Sequence, residues 1–296
     1  MRHLFSIFVF LCLSCQSKTT NDPIIINESA YFDAIEVNDI RLNEPQEGEW
    51  LFGRNEKGQT FEQYKKANPI RPVTEKSTIY LKPIGQFSPL QKQLLKLLRD
   101  YIQLYFQQNT ILLESFSDKK IPTYAKRNRS DGNEQLLAPY ILDSLLKDKN
   151  PKDAMALMAI SAKDLFPKPE WNYVFGLASY THRVGVSSIY RFQNKRLDST
   201  NFTICLRRLM SVSTHEIGHM LSFHHCINAR CTMNGSNNLS ETDAIPNRLC
   251  AECQKKLFWN FRYNNRKRLN ELLTFLKENK IESDFNNLTR DLENIE

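Results

Sequence analysis

The segment beginning at residue 215 reads His-Glu-Ile-Gly-His and constrains this chain more than any other feature. Residues four apart on an α-helix lie on one face, so His215 and His219 would present their imidazoles side by side. Two imidazoles in this arrangement can share a zinc ion. Glu216 would stand about 100° round the helix from His215, where it reaches water beside the metal without being a ligand. The segment therefore predicts a helix that carries a metal site.

Catalytic zinc sites usually combine three protein ligands with one open position, so a third ligand is expected after this helix. His225 lies six residues after His219, and its neighbour His224 is the competing candidate. A continuous helix would turn His225 away from the first pair. The helix must therefore end, and the chain must turn back, before the third ligand.

Four cysteines are interleaved with the histidines. Cys226 and Cys231 form a C-x4-C pair, and Cys250 and Cys253 form a C-x2-C pair. Four thiolates in two closely spaced pairs are typical of a closed, structural zinc site. In an exported protein the same cysteines could instead close as disulfides. Either arrangement would fix the segment that carries His225, because Cys226 directly follows this histidine.

This double pattern resembles the archaemetzincins, a branch of the metzincin zinc peptidases, whose motif is H-E-x-x-H-x-x-G-x-x-H-C-x4-C-x-M followed by C-x2-C. The resemblance implies a catalytic zinc held by His215, His219 and His225. It implies that Glu216 is the general base and that Met233 forms the Met-turn. It also implies a second, structural zinc, and so two zinc ions per chain, with the second held by Cys226, Cys231, Cys250 and Cys253.

The chain departs from this family at one position, where Ser222 replaces the glycine of the motif. Glycine there lets the helix end in a left-handed conformation, which costs a residue with a Cβ about 1–2 kcal/mol. The family spacing still favours His225 over His224 as the third ligand. The resemblance implies a zinc peptidase in which Glu216 takes a proton from zinc-activated water. The alternative is a zinc-binding protein that binds peptides without cleaving them, with Ser222 marking the loss.

The N-terminus has the character of an export signal. Arg2 is followed by an apolar run over residues 4–13, too short for a membrane-spanning helix, which needs about 20 residues. Cys15 after a small residue resembles a bacterial lipoprotein signal, so we expect Cys15 to be lipidated and residues 1–14 to be removed. Such an anchor would hold the protein to a bacterial membrane in the cell envelope. The alternative is an ordinary cleaved signal or a short apolar N-terminus.

The chain is mildly basic, with a formal net charge of +7 over 296 residues. Its basic residues are partly collected in two runs, at 119–129 and 255–268, which lack an aromatic platform or a groove-reading motif. Nucleic acid is therefore not an expected partner. The expected partners are a peptide or protein substrate and the membrane that the lipid enters. We expect a monomer, and either an endopeptidase or an aminopeptidase would fit.

The alternation of strands and helices predicts an α/β fold with crossover helices, and the resemblance implies that the sheet is mixed and twisted. The resemblance makes this a metzincin-like single catalytic domain, whose edge strand within 173–190 would bind an extended peptide. The predicted strands are short apolar runs at 78–84, 109–113, 154–160, 173–182 and 183–192. The predicted helices lie at 88–107, 134–147, 202–221 (the active-site helix) and 251–277 (the C-terminal helix). The expected divisions are a signal peptide (1–14), a tether and arm (15–76), a catalytic domain (77–281) and a tail (282–296).

Overall fold

The structure, a computed structural model, describes residues 28–194 and 196–295. The predicted signal peptide and Cys15 lie outside these residues. Within the described ranges, no helix has the length and apolar character needed to cross a membrane. The strands, in chain order, are β1 (Thr78–Ile84), β2 (Thr110–Leu112), β3 (Lys126–Asn128), β4 (Glu134–Leu137), β5 (Ala154–Ser161), β6 (Asp164–Phe166), β7 (Gly176–Ala178) and β8 (Val184–Ser188). The helices are α1 (Glu28–Glu36), α2 (Phe61–Lys66), α3 (Pro89–Phe106), α4 (Ala138–Tyr140), α5 (Phe202–Met220), α6 (Leu239–Ala244), α7 (Ala251–Phe261), α8 (Asn265–Glu278) and α9 (Glu282–Ile295).

A five-stranded sheet of order β2-β1-β5-β8-β7 forms the centre of the fold. Its first four strands are parallel, and β7 is antiparallel to β8 at the edge. The apolar run of β5 is buried along its whole length. Met158 and Ile160 face the larger hydrophobic core, whereas Leu157 and Ala159 face a smaller one on the other side of the sheet. The predicted α/β class with a mixed sheet is confirmed.

Helix α3 begins and ends as its sequence indicates. Ser88 and Gln91 form a capping box, in which each side chain accepts from the backbone N–H of the other. Proline occupies the first turn, and Gln107 ends the helix in a left-handed conformation with φ of 52°. The packed faces of α3 and α5 contact each other on one side of the sheet.

Several elements differ from the sequence prediction. The predicted helix at 134–147 begins as β4, which pairs with β6, and only then becomes α4 and a π-helical turn over Ile141–Leu146. The predicted strands in 173–192 shorten to β7 and β8, and Tyr190–Gln193 is a 3₁₀ turn. The predicted C-terminal helix at 251–277 is two helices, because Arg262 is left-handed with φ of 54° and Asn264 caps α8. The expected tail forms α9, and the expected irregular arm includes α1 and α2.

A buried arginine joins the arm and α9 to the core. Arg248 donates from Nε to Asp291 Oδ2 at 2.6 Å and from Nη1 to Asp39 Oδ1 at 2.6 Å. Asp39 also accepts from Ala251 N at the beginning of α7. Two carboxylates distant in sequence therefore hold the loop that precedes Cys250.

Candidate metal centres

The active-site helix α5 places two imidazole nitrogens face to face. His215 Nδ1 lies 2.9 Å from Thr232 O, and His219 Nδ1 lies 2.7 Å from Phe223 O. A carbonyl oxygen only accepts, so in both rings Nδ1 carries the hydrogen and Nε2 keeps its lone pair. The two Nε2 atoms are nevertheless only 2.9 Å apart. Two lone pairs at this distance fit a shared cation.

His225 completes the cluster. One ligand atom from each of His215, His219 and His225 lies within 4.8 Å of the others. His224 is exposed and outside this group, with its ring against Tyr180. Burial lowers the pKa of His215 to about 3 and that of His219 well below its usual value, so both rings are neutral at pH 7, as metal ligands must be.

The turn between the helix and His225 passes through a left-handed residue, the conformation that glycine adopts at this position of the family motif. Ser222 has φ of 71°; its N–H donates to His219 O, and Phe223 N–H donates to Gly218 O at 3.0 Å. These two bonds form a Schellman motif, which usually has glycine at the position of Ser222. The serine hydroxyl accepts from Ile70 N at 3.2 Å. A contact with the arm therefore accompanies the serine in place of glycine.

Substitutions at Ser222 test this turn. We expect Ser222→Gly to change the retention of zinc added to the histidine cluster little, because about 1 kcal/mol of relieved strain is offset by a lost hydrogen bond of similar size. Ser222→Val should release this zinc faster, because a β-branched residue fits a left-handed backbone worst. The measurement is the rate of zinc loss to a chelator, with the cysteine site as internal reference. Equal rates of zinc loss for the glycine and valine variants would show that the left-handed turn at residue 222 does not affect metal binding at the histidine cluster.

Met233 lies directly under the active-site helix. A Cβ added to Gly218 would come within 2.5 Å of Met233 Sδ, so the helix approaches this side chain as closely as glycine allows. The preceding residue, Thr232, supplies the carbonyl that orients His215. The Cys-Thr-Met turn thus forms the floor of the histidine cluster.

Glu216 lies beside the histidine cluster, lines the same open cleft as the three histidines, and is 7% exposed. Burial raises the pKa of its carboxyl to about 8, and a cation bound at the three histidines would lower this pKa again and favour the carboxylate. Strand β7 passes beside it, since a Cβ on Gly176 would lie 2.5 Å from Glu216 Oε1. The carboxylate therefore stands between the histidine cluster and the edge strand of the sheet.

The four cysteines form a second cluster, in which all sulfur atoms lie within 4.8 Å of one another. Cys226 Sγ and Cys250 Sγ are 3.7 Å apart. Sulfurs around a tetrahedral zinc at 2.3 Å would be about 3.8 Å apart, whereas a disulfide needs about 2.05 Å. Cys231 Sγ accepts from two backbone N–H groups, that of Met233 at 3.5 Å and that of Cys250 at 3.4 Å. The spacing of the four sulfur atoms therefore matches a tetrahedral metal site.

The protonation of this cluster also favours a cation. The three neighbouring sulfurs lower the pKa of the Cys226 thiol, whereas burial raises the pKa of Cys231 and the hydrogen bond with Cys226 raises that of Cys253. Cys250 is the N-cap of α7 and Cys253 lies in its first turn, where the helix dipole stabilises negative charge. A metal ion would supply the charge that buried thiolates need.

Two residues of the arm belong to the site, although the sequence patterns did not assign them to it. Both carboxylate oxygens of Glu56 lie 3.0 Å from His225 Nδ1. The Trp50 ring packs edge-on against His225, with ring centroids 5.2 Å apart. No spacing pattern links residue 56 to residue 225, so spacing alone does not predict this pair.

A cleft of about 510 Å³ runs across the histidine cluster. One wall comes from β7 and the preceding loop, and the other from Thr232, residues 234–237 and Ile245. Partly exposed aromatic side chains stand around it, those of Trp50, Trp171 and Tyr180. Besides the three histidines, the described lining residues that can carry charge are Lys168 and Glu216. The cleft is thus largely apolar.

Comparison with known proteins gives a consistent match. The profile of peptidase family M54 matches residues 133–258, which include both metal clusters. Archaemetzincin-2 of Homo sapiens is 32% identical over 250 residues, covering 74% of this chain and 68% of that protein. Archaemetzincin-1 of Homo sapiens is 27% identical over 240 residues, covering 71% of this chain and 48% of that protein. The crystal structure of archaemetzincin from Methanopyrus kandleri has a similar fold, with a TM-score of 0.51, 24% identity, and coverage of 65% of this chain and 99% of that chain.

Proposed function

Because this chain belongs to the archaemetzincins, zinc metallopeptidases of family M54, we propose that it hydrolyses peptide bonds with Glu216 as the general base. The catalytic zinc ligands in this proposal are His215, His219 and His225. The observation that carries it is the pair of opposed Nε2 lone pairs at 2.9 Å, beside a buried carboxylate in one open cleft. A purely structural zinc site has no use for a general base in that position.

The chemistry divides between the metal and the chain. Zinc in this position supplies a Lewis acid and lowers the pKa of water towards 7. Glu216 accepts the proton of the attacking water and passes it to the nitrogen of the leaving amine. The carbonyls of Thr232 and Phe223 hold two imidazoles in the tautomer that leaves Nε2 free.

Strand β7 gives the substrate a template. Among the described strands it pairs only with β8, so its other edge is available. An extended peptide can add to such an edge through backbone hydrogen bonds. Since Gly176 of β7 lies against Glu216, a peptide bound there would pass the general base.

The charges of the cleft favour an internal peptide bond over an N-terminal one. An aminopeptidase has to hold the substrate's α-ammonium group, which favours a nearby carboxylate. Of the described lining residues, Glu216 alone is a carboxylate, and general-base catalysis occupies it. The apolar and aromatic walls favour bulky uncharged side chains beside the scissile bond. We therefore favour an endopeptidase over an aminopeptidase.

Peptides with both ends blocked test the function. A library of N-acetylated, C-amidated peptides should be cleaved internally, with apolar or aromatic residues enriched at the cut sites when products are read by mass spectrometry. A chelator should abolish cleavage, and added zinc should restore it. Cleavage of free N-termini alone would overturn the endopeptidase assignment. Zinc-loaded protein that cleaves no peptide would support the alternative, a zinc-dependent peptide-binding protein.

The proposal includes a second zinc ion held by Cys226, Cys231, Cys250 and Cys253. The 3.7 Å sulfur separation and the position of α7 support it. Its role would be structural, because the four thiols are buried and leave no open position for substrate. It would anchor the segment that directly follows His225.

A further inference from the structure

We infer that Glu56 is a positioning residue for the catalytic zinc, acting through His225. This inference rests on the proposed function in one respect, namely that His225 is a zinc ligand. It adds a residue from the N-terminal arm to a site whose ligands all lie within residues 133–258.

The hydrogen bonding of His225 differs from that of the other two histidines. His215 and His219 each donate from Nδ1 to a backbone carbonyl, whereas His225 faces a carboxylate, with both oxygens at 3.0 Å. An ionised carboxylate only accepts, so His225 Nδ1 carries the hydrogen and Nε2 is free for the metal. The negative charge makes this imidazole a stronger ligand than a carbonyl would. Glu56 therefore fixes both the tautomer and the donor strength of His225.

Glu56 is held in place by a second set of contacts. Trp50 Nε1 donates to Glu56 Oε1 at 2.9 Å, while the Trp50 ring packs on His225. The Trp50 backbone N–H donates to Glu241 Oε1 at 2.6 Å, which ties this part of the arm to α6. The Glu56 side chain is 23% exposed, so solvent reaches only part of the carboxylate. A carboxylate with a fixed donor and limited water is preorganised for one orientation of His225.

The arm also holds the backbone on the near side of His225. Gln59 Nε2 donates to Ser222 O at 3.2 Å, and Gln59 Oε1 accepts from His224 N at 3.3 Å. Gln59 thus contacts the turn that precedes His225, while Glu56 contacts the imidazole ring of His225. The arm and the turn form one unit around His225.

The test compares Glu56→Gln and Glu56→Ala with a control, Glu47→Gln, at an exposed position of the same arm. The readout is the rate of zinc release to a chelator from full-length, zinc-loaded protein. Thiol alkylation monitors the cysteine site separately. Glutamine keeps the shape and an acceptor oxygen but removes the charge, so we expect about 10-fold faster release from the histidine site. Alanine removes orientation as well, and we expect a change towards 100-fold. The melting temperature of the glutamine variant should stay unchanged.

Several outcomes would overturn the inference. Release from Glu56→Ala at the rate of the Glu47→Gln control would show that His225 needs no carboxylate. Faster release from both metal sites, with a lower melting temperature for Glu56→Gln, would show a general structural role. Wild-type protein that binds no zinc at the histidines would also overturn it. Peptide cleavage does not enter this readout, so a wild type that retains zinc and cleaves nothing would refute the proposed function alone.

Discussion

Glu216→Gln is expected to lower kcat about 10²–10⁴-fold while leaving both zinc ions bound. Glutamine has the shape of glutamate and fits between α5 and β7, but its amide does not accept the proton of the attacking water. The carboxylate is not part of the histidine cluster, so metal content should not change. Steady-state kinetics on one cleaved peptide, with zinc counted by elemental analysis, gives both quantities.

Glu62→Gln is the matched control, since Glu62 lies on the surface of α2 with a side chain 66% exposed. It should match the wild type in turnover and zinc content. If Glu216→Gln turned over as fast as the control, the general base would have to be another group.

Cys231→Ser is expected to reduce the zinc content from two ions to one and to destabilise the fold severely. Cys231 Sγ is buried and accepts two backbone N–H groups, so its loss opens the cluster and leaves three buried thiols without their metal. Structural zinc binds zinc-finger peptides with about 10–16 kcal/mol, comparable to the whole stability of a typical domain, about 5–15 kcal/mol. Thermal unfolding and zinc counting on the purified variant measure both effects.

Cys205→Ser provides the control, because Cys205 is buried in α5 but lies outside the four-cysteine cluster. The Cys205→Ser variant should have a modestly lower melting temperature than the wild type and should keep two zinc ions. A wild type with a single zinc ion, whose four clustered thiols stay protected from alkylation after denaturation in a chelator without reductant, would indicate disulfides instead.

The sequence predicted those elements whose signals are local. The predicted bounds of strand β1 and of helices α3 and α5 agree with the observed bounds to within one or two residues, because apolar periodicity and a capping box specify these elements. Strands β3, β4 and β6 were missed, since each is three or four residues long and depends on pairing between distant segments.

Helix α9 was missed for a different reason. Its buried face includes Asp284 and Asp291, which pair with arginines of the core, alongside Leu288. Buried carboxylates reverse the usual pattern of apolar residues inside, so the segment resembles a polar tail in sequence.

The residues of the site also divide into those with a local sequence signal and those without one. The three histidines and four cysteines lie within 40 residues, and local spacing brought them to attention as two groups. Glu56 lies 169 residues before His225, a separation at which one sequence carries no pairing signal. Only the folded arm reveals that contact.

The placement of Arg248 has a consequence for when this fold can be completed during translation. Its partners lie 209 residues earlier, at Asp39, and 43 residues later, at Asp291. A nascent chain cannot satisfy this guanidinium until the ribosome has released residue 291, and a buried cation lacking one partner costs about 3–5 kcal/mol. At about 5–20 residues per second, the loop before Cys250 lacks one of its two carboxylate partners for some seconds after its own synthesis. The order of emergence thus makes locking of this loop one of the last steps in maturation.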